Sequence, residues 1–511
     1  MSTEAPVAQG RAWQAARNAG FALLEFAWPL GLALLVTPLL IRGLGVDAYG
    51  VLSVVAVLLG MLGLLDLGIG GAGVREMAQH LGRGELRPAA TVFGTVVTAY
   101  VAIGLAAALF VFLAAPLVVT GVLLVPDDLV DPAVAAFRVS GLGFPMALAV
   151  GALASVLRAA QRFDLSARVA LVFSTIGPLA ALAMVQLGAG IVGVAASAVA
   201  VNAVAGIAYY RSARRLLGDV PIPMGVDTAV LRRLIGFASW FLVASIGVVV
   251  LYQLDKLLVA GMLGVTAVTY YVVPGNIANR IQGLLGAATA IVFPASSDLH
   301  ARGDREALSR LYRDGTRLTF LLAASMAVPM AVFAEPFLRH WVGADFARES
   351  SLAMVLLVGT YALLGLTGVV WGLAFGAGRA KVNALFVLGM ASLDVVLFVL
   401  LVRPYGISGA AAAYLLSALV GVPLLMGYLE RTVLGLRGVD YLAEYARVVP
   451  AAVIVGVLAL WFRPVASSFT TTLLAMGALA VALPLVYFLS GLAMPTDRAL
   501  ARRLIDRVRP R

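Results

Sequence analysis

One arginine, Arg280, stands inside the apolar stretch Leu257–Ser297 with no other charge beside it. At about 1.5 Å per residue, the part after Leu263 is long enough to cross a bilayer as one helix, which sets Arg280 near mid-depth. Asn276 and Arg280 share a face at helical spacing, Asn279 borders it, and Gln282 follows two residues on. Pro274 and Gly275 are placed to bend or loosen the helix just ahead of this group. An ionisable side chain at that depth is costly, so it faces a cavity or a partner. Arg280, Asn276, Asn279 and Gln282 are therefore the candidate substrate-binding residues.

The other ionisable residues in apolar segments are Glu25, Asp66, Arg75, Glu76, Asp255, Lys256 and Asp394. Asp66 and Asp394 are the deepest carboxylates. Asp66 lies at a depth similar to Arg280, in the other half of the chain, and is its expected resting partner. For Asp66, Arg280 and Asp394 the alternative to a transport role is a structural salt bridge. Glu25, Arg75, Glu76, Asp255 and Lys256 fall nearer helix ends, where an interfacial position is the simpler reading. Asp66, Asp394, Glu25, Arg75, Asp255 and Lys256 form the set of candidate coupling or cavity charges. Burial favours the protonated form of a carboxyl, so at least one of Asp66 and Asp394 is expected to exchange protons.

No catalytic constellation accompanies these groups. Cysteine is absent, which removes disulfides, thiol nucleophiles and thiolate metal sites. His80, His300 and His340 have no ligand spacing. Gly68–Gly73, GIGGAG, matches the dinucleotide pattern, but it sits in an apolar helical run with no strand before it. Close helix packing or a flexible point is the better reading. There is no phosphate-binding G-x-x-x-x-G-K-[ST] loop, no H-E-x-x-H and no nucleophile elbow. No enzyme activity, cofactor or metal is expected, and energy has to come from an ion gradient or from consumption of the product.

The elements that position these residues follow from composition. The chain has 511 residues, 62% hydrophobic and 12% charged, with mean hydropathy +1.00. Soluble domains carry roughly 25% charged residues. The apolar runs are long and continuous, unlike the short alternating strands of a barrel. An all-α polytopic membrane protein of about fourteen transmembrane helices is expected. Its helices include Ala48–Met77 (helix 2), Leu234–Leu257 (7), Val265–Ser297 (8), Arg313–Leu338 (9), Val382–Val402 (11) and Ser408–Leu429 (12). The polar Ser2–Arg17 stretch and the full-length apolar run after it read as a first helix, not a cleaved leader.

Of the 37 Lys and Arg residues, 28 fall on the N-terminal side of this arrangement and six on the other. That bias puts both termini in the cytoplasm of a multi-pass cytoplasmic-membrane protein. The net charge of +11 speaks for topology and anionic lipid, not nucleic acid. The C-terminal tail carries Leu500, Leu504, Ile505 and Val508 among arginines. It reads as a helix on the anionic inner leaflet or, alternatively, as a solvated tail.

A repeat divides the chain. GLGVDAY (Gly43–Tyr49) resembles MLGVTAVTYY (Met262–Tyr271), GIVGVAA (Gly190–Ala196) resembles GISGAAA (Gly406–Ala412), and Arg162 answers Arg379. The three offsets nearly coincide. The expected organisation is an N-terminal lobe (residues 1–210, helices 1–6), a cytoplasmic linker (211–233), a C-terminal lobe (234–430, helices 7–12), and a final pair of helices with a basic tail (431–511). Two six-helix repeats inserted in the same orientation have a pseudo-symmetry axis along the membrane normal, with a site expected between them.

The segment TPLLIRGLGVDAYGVLSVVAVLLGMLGLLDLGIGGAGVREMA (Thr37–Ala78) resembles the opening of polysaccharide-biosynthesis flippases of the multidrug/oligosaccharidyl-lipid/polysaccharide exporter superfamily. LDKLLVAGMLGVTAVTYYVV (Leu254–Val273) and YGISGAAAAYLLSA (Tyr405–Ala418) resemble the start of the second half and of helix 12 in that family. The resemblance implies two six-helix lobes around a V-shaped cavity, two extra C-terminal helices, and alternating access. It implies a lipid-linked oligosaccharide, a glycan on polyprenyl pyrophosphate, passed to the outer leaflet. The partners so implied are that substrate, membrane lipid, and a polysaccharide polymerase or glycosyltransferases, acting with a monomer. Guanidinium suits pyrophosphate, since it is always charged and bonds two oxygens at once. Asn276, Asn279 and Gln282 suit sugar hydroxyls. Two alternatives stand. One is a cation-coupled multidrug exporter of the same fold. The other is a membrane glycosyltransferase or ligase, disfavoured because the loops are short and the most acidic is only VPDDLVDP (Val125–Pro132).

Overall fold

The structure, a computed structural model, describes residues 28–61, 69–160, 162–218 and 220–498. Among the described residues every regular element is helical. Glu25, Asp66 and the tail from residue 499 lie outside the described residues. The chain forms two compact units. The first holds the residues up to Ser245 together with Ala260–Thr266, and the second holds Ile246–Val259 and everything from Ala267 onward.

The first unit is built from α1 (Trp28–Leu44), α2 (Val46–Gly60), α3 (Ile69–Gly82), α4 (Leu86–Gly121), α5 (Val130–Leu142), α6 (Phe144–Ala159), α7 (Phe163–Gln186), α8 (Gly190–Leu217) and most of α9 (Thr228–Val249). Phe93, Val96, Tyr100, Leu157 and Leu217 lie in its core. The outer surface is apolar: Leu105, Leu109, Phe110, Leu113 and Leu117 of α4 are all exposed. Such a face is costly in water and is what a bilayer covers.

The stretch 211–233 is mostly helix, since α8 runs to Leu217 and α9 opens at Thr228. The residues between are strapped to α4. A Cβ on Gly94 would lie 2.0 Å from the Pro223 carbonyl oxygen, so only glycine admits the strap at this distance. The Gly225 and Asp227 amides donate to Thr98 and Thr95 hydroxyls, each at 3.2 Å. Asp227 then caps α9 by accepting from the Ala229 and Val230 amides.

The second unit contains a π-helical turn (Val250–Leu254), the first part of α10 (Asp255–Leu263), and α11 (Val265–Thr289) from Ala267 on. It continues through α12 (Val292–Ala301), α13 (Arg305–Val332), α14 (Ala334–Trp341), α15 (Ala344–Gly376), α16 (Ala380–Leu429), α17 (Asp440–Phe462) and α18 (Phe469–Leu489). The 50 residues of α16 are far longer than a bilayer needs, and Gly406 (φ 55°, ψ −139°) breaks them. A Cβ on Gly421 would lie 2.1 Å from Met390, and Phe386 stacks 5.8 Å from Tyr428, so the limbs fold back as a hairpin. These limbs are the expected helices 11 and 12.

Ten helical stretches among the described residues are long and apolar enough to span a membrane. One of them holds both limbs of α16. Conversely, α11 is not among the ten: its 25 residues suffice in length, but its polar side chains lower its hydropathy. The helix also runs unbroken through Pro274, where a bend was expected.

Backbone geometry repeats where the sequence does. Gly45 and Gly264 have φ of 89° and 91°, and Gly190 and Gly406 have 58° and 55°. Arg162 and Arg379 both precede a helix with similar dihedrals, φ −88°, ψ 59° and φ −101°, ψ 39°.

Arg317 corrects a sequence reading. It lies in the expected helix 9, but α13 begins at Arg305, eight residues before the expected Arg313, and Arg317 is fully buried. Its guanidinium meets Asp497 at 2.6 and 3.0 Å, Glu444 at 2.5 Å and Asp314 at 2.6 Å. Asp497 also accepts from the Tyr487 hydroxyl at 2.8 Å and the Met494 amide at 3.0 Å. Burial works to raise the Asp497 carboxyl, but the Arg317 and Tyr487 bonds prevail and hold it below its ordinary value. The network ties α13, α17 and the residues after α18 together.

Candidate substrate face and buried carboxyl cluster

Helix α11 is clamped along one face. Gly365, Gly368, Gly372 and Gly376 of α15 meet Leu285, Thr289, Val292 and Ser296 of α11 and α12. A Cβ on Gly368 would fall 2.2 Å from the Thr289 hydroxyl, and Ser296 donates to the Gly372 carbonyl at 2.9 Å. Small residues let the two backbones approach this closely. Tyr271, Pro274, Ala278, Ile281 and Leu285 are buried on the same side.

The opposite face is bare. Asn276, Asn279, Gly283, Gly286 and Ala287 are exposed and Arg280 is half-buried, at the spacing of one helical stripe. Three polar side chains thus share the uncovered face of a helix that is otherwise apolar and packed. Among the described residues Arg280 forms no ion pair. Its expected partner, Asp66, lies outside them.

Gln282 does not join this stripe. It points to the packed side and donates to the Tyr252 hydroxyl at 2.5 Å. One donor of its amide is thus engaged within the protein.

Asp255 and Lys256, candidate cavity charges for which an interfacial position was the alternative, are buried: Asp255 is only 3% exposed, and the side chain of Lys256 is 12% exposed. The reason is that helix 7 does not stop at Leu257 but continues through α10 to Leu263. Asp255 accepts from the Tyr271 hydroxyl at 2.8 Å and lies 3.4 Å from Lys256 Nζ. Lys256 also donates to the Tyr252 carbonyl in the π-helical turn. Asp394, on the first limb of α16, is 3% exposed and within electrostatic reach of both Asp255 and Lys256. Its Oδ1 and the Tyr414 hydroxyl have no hydrogen-bond partner among the described residues. Tyr361 of α15 stacks edge-on against Tyr414 at 5.9 Å.

This cluster sets two buried carboxyls against one ammonium. An uncompensated buried charge is very costly.

The remaining candidates are elsewhere. Arg75 is exposed, in a crevice of about 340 Å³ lined with Glu76, Gln79, His80 and Arg233. Arg233 bonds Glu76 at 2.8 Å. Arg75 and Glu76 belong to the first unit, whereas Arg280 is in the second. Sequence reasoning missed Tyr252, Tyr271, Tyr361 and Tyr414. Their signal was available: a tyrosine hydroxyl inside an apolar span needs a polar neighbour.

The family model described as "Polysaccharide biosynthesis protein" matches residues 39–350, more than half of the chain. The chain belongs to this polysaccharide biosynthesis protein family. This agrees with the resemblance seen in Thr37–Ala78. A Shigella flexneri protein provisionally named an O-antigen transporter is 23% identical over 419 residues, covering 80% of this chain and 96% of that one. Among solved structures, the lipid II flippase MurJ in an inward closed conformation is similar with TM-score 0.70 at 13% identity, covering 92% of this chain and 99% of that one. An inward-facing multidrug resistance MATE transporter is similar with TM-score 0.64 at 14% identity, covering 85% and 99%. This polysaccharide biosynthesis family member therefore has the fold of those transporters.

Proposed function

We propose that the chain is a flippase. It carries a lipid-linked oligosaccharide, a glycan on polyprenyl pyrophosphate, across the cytoplasmic membrane by alternating access of its two repeats. The observation that carries this reading is the bare stripe of Asn276, Asn279 and Arg280 on a helix held from behind by a glycine seam. The fixed backing keeps the stripe in place. The guanidinium takes the pyrophosphate, the two amides take sugar hydroxyls, and the polyprenyl chain stays in lipid. The family and the name of the Shigella flexneri relative support a polysaccharide precursor as cargo.

The repeats 1–210 and 234–430 are the two moving lobes on this reading, and 431–511 are an addition to the second. Both termini face the cytoplasm, and the protein acts as a monomer beside the polymerase or glycosyltransferases that use its product. The proton gradient supplies energy, taken up at one or both of Asp394 and, in the other lobe, Asp66. Asp66 is also the resting counter-charge of Arg280. An arginine on that face repels cationic drugs, which places the multidrug alternative second.

The test is transport by reconstituted protein under an imposed pH gradient. Wild type responds to the gradient, and the Asp66→Asn, Asp394→Asn double variant, normally expressed, does not. A double variant that responds as wild type does removes the carboxyl pair from the account.

A further inference from the structure

We infer that the groove between the two limbs of α16 holds an anionic glycerophospholipid, with one acyl chain lying over Gly389 and the phosphate at the end marked by Lys381 and Arg431. The inference is independent of the stripe on α11.

The groove has a volume of about 390 Å³ and is lined by Leu385, Gly389 and Leu393 of the first limb and Val420 and Leu424 of the second. Leu385, Val420 and Leu424 are exposed, on a stretch apolar enough to span a membrane. No lining side chain can hold water, so in a bilayer the groove takes a hydrocarbon chain, which restores the contacts its walls would otherwise lack.

Two glycines of this groove differ in what requires them. Gly421 is required by the protein, because a Cβ there would lie 2.1 Å from Met390. Gly389 is not. A Cβ on it would meet no atom within 4 Å among the described residues, and it is not one of the glycines at positive φ. Glycine inside a helix is destabilising relative to alanine, and neither backbone conformation nor packing within the chain calls for it here. Its missing side chain gives the groove depth, open to a chain from outside the protein.

The charges at one end identify that chain's headgroup. Phe386 and Tyr428 stack 5.8 Å apart at the end nearest the helix termini. Lys381 stands one turn before Leu385, and Arg431 three residues past Tyr428; both are exposed. At about 1.5 Å per residue, each lies within about 8 Å of the ring pair along its helix. Arg431 Nε donates to the Arg437 carbonyl at 3.2 Å, and the guanidinium forms no ion pair among the described residues. The acids nearby are engaged with backbone: Glu430 accepts from the Asp440 and Tyr441 amides at 2.9 and 2.7 Å, and Asp440 from the Arg437 amide at 2.8 Å. Basic pockets between membrane helices take anionic lipid headgroups. A zwitterionic headgroup would bring its own cation to the same place. A straight acyl chain fits over a single glycine, whereas a polyprenyl chain carries regular methyl branches and needs a wider floor.

The experiment is native mass spectrometry of the full-length protein released from detergent, titrated with dioleoylphosphatidylglycerol or dioleoylphosphatidylcholine. It reads the affinity of the first lipid bound. Wild type is expected to prefer phosphatidylglycerol by about 25-fold, about fivefold for each of two basic side chains near an anionic headgroup. The Lys381→Gln, Arg431→Gln double variant is expected to lose that preference and keep its affinity for phosphatidylcholine. Gly389→Leu fills the groove and leaves both charges, and is expected to weaken first-site binding of both lipids. A wild type that binds the two lipids equally overturns the proposal. So does a double variant that keeps the preference, or a Gly389→Leu protein that binds both lipids as wild type does. The double variant alters only exposed side chains, so it carries the test if Gly389→Leu does not fold. Farnesyl phosphate at equal concentration is expected to leave the first phosphatidylglycerol bound; its displacing that lipid would give the groove to a polyprenyl chain and overturn the assignment.

Discussion

Asp47 and Thr266 occupy equivalent positions of the two sequence repeats, 219 residues apart, and they hydrogen-bond to each other at 2.5 Å. Each follows a glycine in the left-handed region, Gly45 and Gly264, and each stands at the start of a helix, α2 and α11. Val265 and Ala260 make backbone bonds to Leu124 beside them, at 3.3 and 3.5 Å. On the alternating-access reading proposed above, the two repeats move against each other and this bond between equivalent residues opens and is remade. The chain has no cysteine, so an Asp47→Cys, Thr266→Cys pair can be oxidised selectively. Oxidation is expected to stop transport and reduction to restore it. Undiminished transport by the cross-linked protein would show that this pair does not separate.

The Arg317 network predicts how stability depends on pH. Asp497 has its carboxyl held below the ordinary value, so its contribution is complete above about pH 4, where the unfolded chain's aspartates ionise. It is lost as pH falls through the lower folded value. Thermal unfolding in detergent should therefore be insensitive to Asp497 protonation near neutrality and should weaken in acid. Asp497→Asn leaves the fully buried guanidinium with Glu444 and Asp314 and is expected to cost about 1.5–3 kcal/mol at neutral pH, the scale for losing a hydrogen bond to a charged group. An unchanged midpoint would show that Glu444 and Asp314 alone neutralise Arg317.

Gly94 predicts a local effect. Alanine there forces the Pro223 carbonyl away from α4. Limited proteolysis with proteinase K is expected to cut faster between residues 220 and 226 in Gly94→Ala than in wild type. Equal cutting rates would mean that the strap yields without undocking.

Topology is open to direct measurement. Reporter fusions after Gly218 should read cytoplasmic, and one near Asp128 should read external. A cytoplasmic signal at Asp128 would reverse the assignment that rests on the distribution of arginines.

Much of the architecture is legible in the chain because bilayer helices declare themselves by length and hydropathy, as α4 and α18 do. The repeat is legible for a different reason. Its markers, Gly45, Gly264, Gly190 and Gly406, are glycines that the backbone requires at positive φ. The polar start of α13 hid its first eight residues, since an amphipathic turn has the composition of a loop. Arg280, Asn276 and Asn279 stood out because a single helix face carries them. The Asp255–Tyr271 pair, the Tyr252–Gln282 bond and the approach of Asp394 join separate helical segments. Their packing has no periodic trace in the sequence, so these contacts could not be read from it.

The most direct test of the account is flipping of a fluorescent, short-glycan polyprenyl pyrophosphate by proteoliposomes containing wild type, Arg280→Lys or Arg280→Ala. Lysine keeps the charge and loses the planar fork, so transport should fall by about 10- to 100-fold, the value of one charge-assisted hydrogen bond, and persist. Alanine should abolish flipping in protein that is inserted and folded as wild type is. Full flipping by Arg280→Ala would contradict the account, because the bare stripe of α11 would then not be where the pyrophosphate binds.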